Sequence, residues 1–148
     1  MADGDVPSFE ELIKIPLPHP QAFGYAVGLQ FLGIRPGLEG RLERVVEGEL
    51  ITRHVGGAGT FSTPAMIGLM EITSHRSVER LLADGETTVG YEVHVRHLTP
   101  APPGSTIVVT TRLNEVKGNK LYFDVECRQG DTLIGSGIHK RAIVPAIF

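Results

Sequence analysis

One acidic side chain, Glu71, stands where the periodicity of a helix predicts an apolar residue. The stretch TPAMIGLME (63–71) begins a periodic segment, and a helical wheel places Glu71 within its apolar arc. The other members of that arc are Ile67, Met70, Ser74, Val78, Leu81 and Leu82. Burial of an unpaired carboxylate is costly. Glu71 therefore reaches water at the margin of the arc, is neutralised by an arginine of the sheet, fills a polar patch in a dimer interface, or takes part in chemistry.

A histidine, His97, is the second candidate for chemistry. In the segment 87–98 the odd-numbered residues are mostly apolar and are predicted to face the helix: Val89, Tyr91, Val93 and Val95. His97 continues this inward face, whereas His94 lies on the outward one. A single inward histidine is more often a core residue than a catalyst. An inward histidine together with an inward glutamate, however, supplies both partners of general acid–base catalysis.

A threonine, Thr63, opens the helical segment and is predicted to be its N-cap, with Pro64 at the first helical position. Capping alone would explain this threonine. On one helix, Thr63 and Glu71 lie about 12 Å apart along the axis. Direct contact within one subunit is then not expected unless the chain turns sharply at residue 63. A site shared across a dimer interface would remove the difficulty, and the sequence leaves both arrangements open.

The elements that must position these residues are one strand, one long helix and four further strands. The helix is predicted from Thr63 to about Leu82, with a stop at Asp84-Gly85. The strands are predicted at 41–54, 87–98, 105–116, 120–129 and 132–144. One helix with one apolar face is best buried by a curved sheet that wraps around it. We therefore expect an α+β protein with the hot-dog fold, in which a curved, mainly antiparallel five-stranded sheet wraps one long helix.

The chain is expected to hold one domain, because it has 148 residues. Residues 41–148 are assigned to the hot-dog domain and residues 1–40 to an N-terminal extension of uncertain structure. Within that extension, 9–15 could form a helical turn, 15–20 must be extended at its prolines, and GIRPGLEG (33–40) predicts a turn. Sheets of this kind commonly join edge to edge, so we expect a homodimer or a higher homo-oligomer.

Composition limits the partners and the compartment. The net charge is −3 and the basic residues are scattered, which excludes an electrostatic footprint for nucleic acid. The apolar stretch 22–34 is too short to span a membrane and is interrupted by glycines. A single cysteine, Cys127, excludes an internal disulfide framework, and the acidic N-terminus is the reverse of a secretory signal. A cytoplasmic location is therefore expected.

Three further features are assigned ordinary roles. Cys127 shares an alternating face with apolar neighbours and is predicted to be a core residue. The other histidines lack the spacing of metal ligands, so no metal site is predicted. The Gly135-Ser136-Gly137 segment lies within a strand and predicts a bulge or a close backbone approach rather than a nucleotide-binding turn.

Several segments, in the right order, resemble the hot-dog thioesterases of the fluoroacetyl-CoA thioesterase family. They are TPAMIGLME, VGYEVHVRHL with TPAPPGSTIVVTTRL, and IGSGIHKRAIV, which together span about residues 50–148. The resemblance implies hydrolysis of a small or medium acyl-CoA thioester, with no cofactor other than the coenzyme A of the substrate. It also implies that Thr63, Glu71 and His97 are the catalytic residues. Glu71 would either attack the thioester or orient a water molecule.

The same resemblance implies the residues that contact the substrate. Gly90 matches a glycine that lies against the acyl group and the thioester. A hydrophobic lid precedes the threonine in the family, and the corresponding segment here is HVGGAGTF (54–61), in which Phe61 is the one aromatic residue. Phe61 is therefore a candidate substrate contact, but the glycine-rich segment does not predict selectivity for a fluorinated acyl group. Lys140 and Arg141 are weak candidates for phosphate contacts, and solvated charge is the more ordinary role for both.

Two alternatives to a thioesterase remain at this point. A hot-dog hydratase acting on enoyl-CoA would generally use an Asp/His pair in a different loop–helix motif, which the sequence does not contain. A non-catalytic module that binds acyl-CoA or another small ligand would have no reason to hold Glu71 and His97 inside.

Overall fold

A computed structural model of the protein describes Ser8, Glu10 and residues 34–147. The predicted extended segment 15–20 and most of the predicted helical turn at 9–15 lie outside the described residues. The division of the chain at residue 40 therefore stays a prediction. The turn expected from GIRPGLEG is present at Pro36-Gly37, where Gly37 takes a φ of 100°.

Seven strands and one long helix make up the described part of the chain. They are β1 (Glu39–Val45), β2 (Ile51–Thr52), β3 (Thr60–Phe61), α1 (Thr63–Glu79), β4 (Glu86–His97), β5 (Thr106–Lys117), β6 (Lys120–Gln129) and β7 (Thr132–Pro145). Five strands form one antiparallel sheet in the order β1-β5-β6-β7-β4, and β2 pairs with β3 separately. The helix contacts all five strands of the larger sheet. This is the predicted arrangement of one long helix against a five-stranded antiparallel sheet.

The start of α1 differs from the prediction by one residue. The N-cap is Ser62, whose hydroxyl accepts a hydrogen bond from the Ala65 N–H at 3.1 Å. Thr63 and Pro64 occupy the first helical positions. The prediction that Thr63 caps the helix is therefore wrong, because the neighbouring serine already satisfies the helix N-terminus. The Thr63 hydroxyl is left for another partner.

The buried arc of α1 is rotated slightly from the predicted one. Ile67 and Glu71 are half-buried at its margin, and the helix ends at Glu79 rather than near Leu82. The buried members are Met66, Leu69, Met70, Thr73, Ser74 and Val78. In the part of the chain that the structure describes, no helix is long and apolar enough to cross a membrane.

The single strand predicted over 41–54 is two short elements. β1 ends at Val45, a 3-10 turn follows at Gly48–Leu50, and β2 is only two residues long. Gly48 has a φ of 55°, which a turn tolerates and a continuous strand does not. The uneven alternation of this segment reflects the break between the two elements.

A β-bulge in β4 changes which residues face the helix. The register with β7 shifts between Gly90 and Glu92, so Tyr91 is the extra residue. Before the bulge the even-numbered Thr88 and Gly90 face α1, and after it the odd-numbered His97 does. The bulge therefore brings residues of opposite parity to the same side of the sheet.

The predicted inward face of β4 is right at one end of the strand and wrong at the other. Val95 packs against the main core, as predicted. Val89 and Tyr91 instead pack on Ala142 and Val144, which form a small cluster separate from the main core. The simple alternation failed there because it did not anticipate the bulge.

Two predictions about β6 and β7 are confirmed. Cys127 is fully buried in the main core, and burial raises the pKa of its thiol to about 12. A Cβ on Gly135 would lie 2.8 Å from the Arg96 carbonyl oxygen, and a Cβ on Gly137 would lie 2.6 Å from Val95 Cα. The two glycines therefore mark a close approach of β4 and β7.

Candidate active site

The beginning of α1 and the end of β4 bring Thr63 and His97 together. Thr63 Oγ1 lies 2.8 Å from His97 Nδ1, a hydrogen bond between residues 34 positions apart. The contact is possible because Ser62, and not Thr63, caps the helix. Two of the three predicted catalytic residues are therefore in direct contact.

The second ring nitrogen of His97 is left without a partner. His97 Nε2 is shielded from solvent and accepts or donates no hydrogen bond among the described residues. Phe61 packs edge-on against the imidazole, with ring centroids 6.0 Å apart and planes at 71°. Phe61 itself is only 1% exposed and belongs to the main core, so it supports the histidine ring. A buried polar atom of this kind needs an explanation, and a reacting group or water would supply one.

Glu71 belongs to a second group of polar side chains, further along α1. Its Oε1 lies 3.2 Å from the position that a Cβ would take on Gly90. Arg141 Nη1 and His139 Cε1, both from β7, lie 3.0 Å and 2.8 Å from the same position. The three side chains close over the backbone at residue 90, where only glycine leaves enough room. Glu71 thus lies at the margin of the helix arc, which is one of the arrangements that the sequence left open, and an arginine of the sheet lies nearby.

Arg141 is buried, and each of its three side-chain nitrogens has a hydrogen-bond partner. Only 7% of the residue is exposed. Its Nε donates to Thr88 Oγ1 at 2.9 Å, its Nη2 donates to the Thr88 carbonyl at 3.0 Å, and its Nη1 lies 3.1 Å from His139 Nε2. Burial lowers the pKa of the guanidinium, while the carboxylate of Glu71 raises it. The interpretation of Arg141 as a solvated charge is therefore wrong.

Lys140 lies elsewhere, because successive strand residues point to opposite faces. Its Nζ is 2.6 Å from Glu92 Oε2 and 5.2 Å from the centre of the Tyr122 ring. This pairing lowers the pKa of Glu92 and raises that of Lys140. Lys140 already has an acidic partner on the outer face of the sheet, away from Glu71.

A surface cavity of about 390 Å³ opens beside Glu71. The residues that line it are Glu71, Ile72, His75, Thr87, Thr88 and Arg141. A larger groove of about 750 Å³ lies on the outer face of the sheet, and the residues that line it include no predicted site residue. Of these two, the smaller cavity is therefore the one that adjoins a predicted catalytic residue.

Within one copy of the chain, the two polar groups are separate. Thr63 and Glu71 lie about 12 Å apart along a regular helix. His97 and Gly90 are likewise separated by most of the inward-facing part of β4. One copy therefore presents two separate polar groups, Thr63–His97 and Glu71–Gly90–Arg141, at different positions on the same face, and we call each of them a half-site.

The polar group around Arg141 was not predicted from the sequence. Thr88, His75 and His139 were not assigned a role, and the bulge hid the inward position of Thr88. A signal was available in β7, because simple alternation places His139, Arg141 and Ile143 on one face. Ile143 belongs to the main core, so the two polar residues share the face that meets the helix.

The sequence and the fold of this chain are similar to those of known proteins. The family model that matches the chain describes a fluoroacetyl-CoA-specific thioesterase and covers residues 45–146. A fluoroacetyl-CoA thioesterase of Streptantibioticus cattleyicolor is 39% identical over 84 residues, or 57% of this chain. The chain spans 60% of the length of that relative.

Solved structures confirm the hot-dog fold. The fluoroacetyl-CoA thioesterase FlK superimposes with a TM-score of 0.71 at 33% identity, over 77% of this chain and 90% of FlK. A thioesterase superfamily member of Thermus thermophilus gives a TM-score of 0.70 at 32% identity, over 76% of this chain and 85% of its own. A variant of FlK in complex with fluoroacetate and CoA gives 0.70 at 32% identity, over 76% and 96% of the two chains. Since the family model also covers well over half of the sequence, this chain belongs to the fluoroacetyl-CoA-specific thioesterase family.

Proposed function

We propose that this protein hydrolyses the thioester of a small or medium acyl-CoA to the free acid and coenzyme A. Membership of the family supports the class of reaction. The observation that carries the proposal is the 2.8 Å contact of Thr63 Oγ1 with His97 Nδ1, which leaves the shielded Nε2 unpaired within the described residues. A general base needs one nitrogen held in orientation and the other available for a proton.

In this proposal His97 activates water. Thr63 Oγ1 accepts the Nδ1–H, so the lone pair of the neutral imidazole lies on Nε2. Nε2 takes a proton from water, and the water oxygen forms a bond to the thioester carbonyl carbon. The carbon–sulfur bond then breaks, and the imidazolium returns its proton to the departing thiolate. The atoms balance as thioester plus water giving carboxylic acid plus thiol.

Glu71 is the other catalytic group. Its carboxylate either attacks the carbonyl carbon and expels the thiolate of coenzyme A, giving an acyl-enzyme anhydride that water then hydrolyses, or orients the water that His97 activates. Gly90 contacts the acyl group in this proposal, as the resemblance to the family implies, and its backbone lies directly beside Glu71. Phe61 provides an apolar wall behind His97.

The two half-sites become one site if two copies of the chain pair through β4. This strand lies at the edge of the sheet, and only β7 pairs with it in the described part of the chain. An antiparallel pair of β4 strands, with its two-fold axis near Val93, places His97 of one copy beside Gly90 and Glu71 of the other. We therefore propose a homodimer with two shared sites, and larger assemblies built from it.

The substrate range is proposed from the cavity and from the loop before α1. The cavity beside Glu71 is small, at about 390 Å³. In the loop, Gly56, Gly57 and Gly59 have positive φ and Val55 is 73% exposed, which supports a loop without a continuous apolar cover. We propose small and medium acyl groups without selectivity for fluoroacetyl-CoA. The reaction uses no metal or redox cofactor, and we place it in the cytoplasm, where Cys127 stays reduced.

A panel of acyl-CoA substrates tests the proposal. Acetyl-, fluoroacetyl-, butyryl-, hexanoyl- and octanoyl-CoA are incubated with purified protein, and free thiol is measured. We expect release by the wild type and a loss of about 100-fold or more in Glu71→Gln, because a catalytic carboxylate contributes on that order. Glu43→Gln, an exposed carboxylate of β1, serves as the control and should match the wild type. Tight binding without thiol release by the wild type would contradict the proposal and favour a binding module.

A further inference from the structure

The buried polar group around Arg141 has a defined set of proton positions. His139 Nδ1 lies 2.9 Å from the Glu92 carbonyl oxygen, which can only accept. Nδ1 therefore carries the proton. His139 Nε2 is then an acceptor, and it receives the Nη1–H of Arg141 at 3.1 Å. The hydrogen bonds are satisfied only if His139 is neutral.

The other side of Arg141 is fixed by a second chain of hydrogen bonds. Thr88 Oγ1 accepts from Arg141 Nε and lies 2.7 Å from His75 Nδ1. His75 Nε2 lies 3.6 Å from a carboxylate oxygen of Glu79, which favours a proton on Nε2. The Thr88 hydroxyl then donates to His75 Nδ1 and accepts from Arg141 Nε, so its proton and an oxygen lone pair are both used. Burial and the charge of Arg141 lower the pKa of His75, consistent with a neutral ring.

We propose that His139 is a positioning residue for the thioesterase reaction and acts through Arg141. By accepting the Nη1–H, its neutral imidazole holds the guanidinium over Gly90, where the positive charge faces the catalytic carboxylate of Glu71. This inference rests on the proposed function of Glu71. His139 itself does not touch the substrate.

Protonation of His139 would remove the acceptor and place an N–H against the guanidinium. The charged groups that face His139 are Arg141 from its own strand and Glu71 from α1, while Glu92 presents its backbone carbonyl. Burial first, and then Arg141, lower the pKa of His139 from its usual 6.5. The neutral form is therefore present at neutral pH, and the positioning is lost only as the pH falls through that lowered pKa.

Two substitutions of His139 test its donor nitrogen, Nδ1, and its acceptor nitrogen, Nε2, separately. The amide of Gln reaches the position of Nε2 and can accept from Arg141, whereas the amide of Asn reaches only the position of Nδ1 and can donate to Glu92. We expect His139→Asn to lower kcat by about 10- to 100-fold, the range of a hydrogen bond to a charged group. The KM for the acyl-CoA should change little. His139→Gln should retain most of the wild-type kcat. On the acid side of its pH–kcat profile, the slope should correspond to about one proton fewer than in the wild type.

The result that overturns the inference is an equal loss in the two variants, because a merely structural histidine would be replaced equally badly by both amides. An unchanged acid limb in His139→Gln would overturn it as well. Melting temperatures measured alongside identify a variant that fails to fold, and in that case the decision rests on a spectroscopic measurement of the wild type.

That measurement does not depend on activity. Long-range ¹H–¹⁵N spectra of the labelled protein, with His139 assigned by the signal missing in His139→Gln, report the protonation of each ring nitrogen. We expect a protonated Nδ1, an unprotonated Nε2 and a titration midpoint below 6.5. The opposite tautomer, or a charged ring at neutral pH, would overturn the inference. If the wild type releases no thiol but the spectra are as expected, the proposed function has failed while the hydrogen-bond assignment stands.

Discussion

The two half-sites face the same side of the sheet but differ in how far their hydrogen bonds are satisfied. At the end of β4, His97 has one partner, Thr63, and its shielded Nε2 has none among the residues described. At the other end, every nitrogen of Arg141 is engaged by Thr88 or His139. We call the Thr63–His97 half-site open, because one ring nitrogen of His97 is unpaired among the described residues. We call the other half-site closed, because all three side-chain nitrogens of Arg141 are paired.

This difference indicates a division of roles between the half-sites. A group that transfers protons must keep an unpaired atom. The unfavourable free energy of that unpaired atom is offset by favourable contacts elsewhere in the fold. A group that fixes a charge in place gains from a complete set of buried hydrogen bonds. We therefore propose that His97 transfers protons and that the group around Arg141 holds a fixed positive charge beside Glu71.

The largest effect is expected when the imidazole is removed from the open half-site. His97→Ala removes the proposed general base and should lower kcat/KM by about 10²- to 10⁴-fold. His94→Ala is the matched control, because this exposed histidine lies on the same strand with its side chain on the outer face. Thiol release by both variants is measured on the best substrate of the wild type. A loss of similar size in His94→Ala would show that the effect comes from β4 as a whole. It would contradict the proposal that His97 transfers protons.

A smaller effect is expected when the open half-site keeps its imidazole but loses its hydroxyl. Thr63→Val keeps the shape of the side chain but removes the hydroxyl that orients His97 Nδ1. We expect kcat to fall by about tenfold, since one hydrogen bond of roughly 1–1.5 kcal/mol is lost. The free energy of unfolding should change little, because Thr63 is exposed and does not cap the helix.

The adjacent serine provides the reverse control. Ser62→Ala removes the cap of α1 and should lower the free energy of unfolding by about 1 kcal/mol, with kcat unchanged at a temperature where the protein is folded. Denaturant unfolding and thiol release, measured on both variants, separate the two roles. If Ser62→Ala slowed the reaction and Thr63→Val lowered stability, the assignment of cap and catalytic hydroxyl would be reversed.

Much of the fold and part of the site could be predicted from the sequence, because each rested on a local pattern. The four strands after the helix were predicted to within one residue at each end, since short turns at Pro103-Gly104, Gly118 and Gly130 interrupt a clear alternation. The inward position of His97 followed from the same alternation. The resemblance of the motifs supplied the proposed roles of the residues, which no pattern could give.

The features that the sequence did not reveal are those set by contacts between elements. The bulge at Tyr91 depends on the register of β4 with β7, and it reverses the faces of Val89 and Thr88. The cap at Ser62 and the cap predicted at Thr63 differ by one residue, which propensity does not resolve because serine and threonine both cap helices. Arg141 belonged to an apolar face, and a buried arginine is uncommon enough to be assigned to solvent by default.

The most direct test of the account asks whether the two half-sites come from different copies of the chain. Glu71→Gln and His97→Ala subunits, carrying different affinity tags, are co-expressed and the mixed dimer is purified. In the mixed dimer one site has both mutations, whereas the other combines the intact His97 of one subunit with the intact Glu71 of its partner. We predict about half of the wild-type thiol release per dimer, although each parent homodimer is nearly inactive. A mixed dimer no more active than its parents would contradict the shared site.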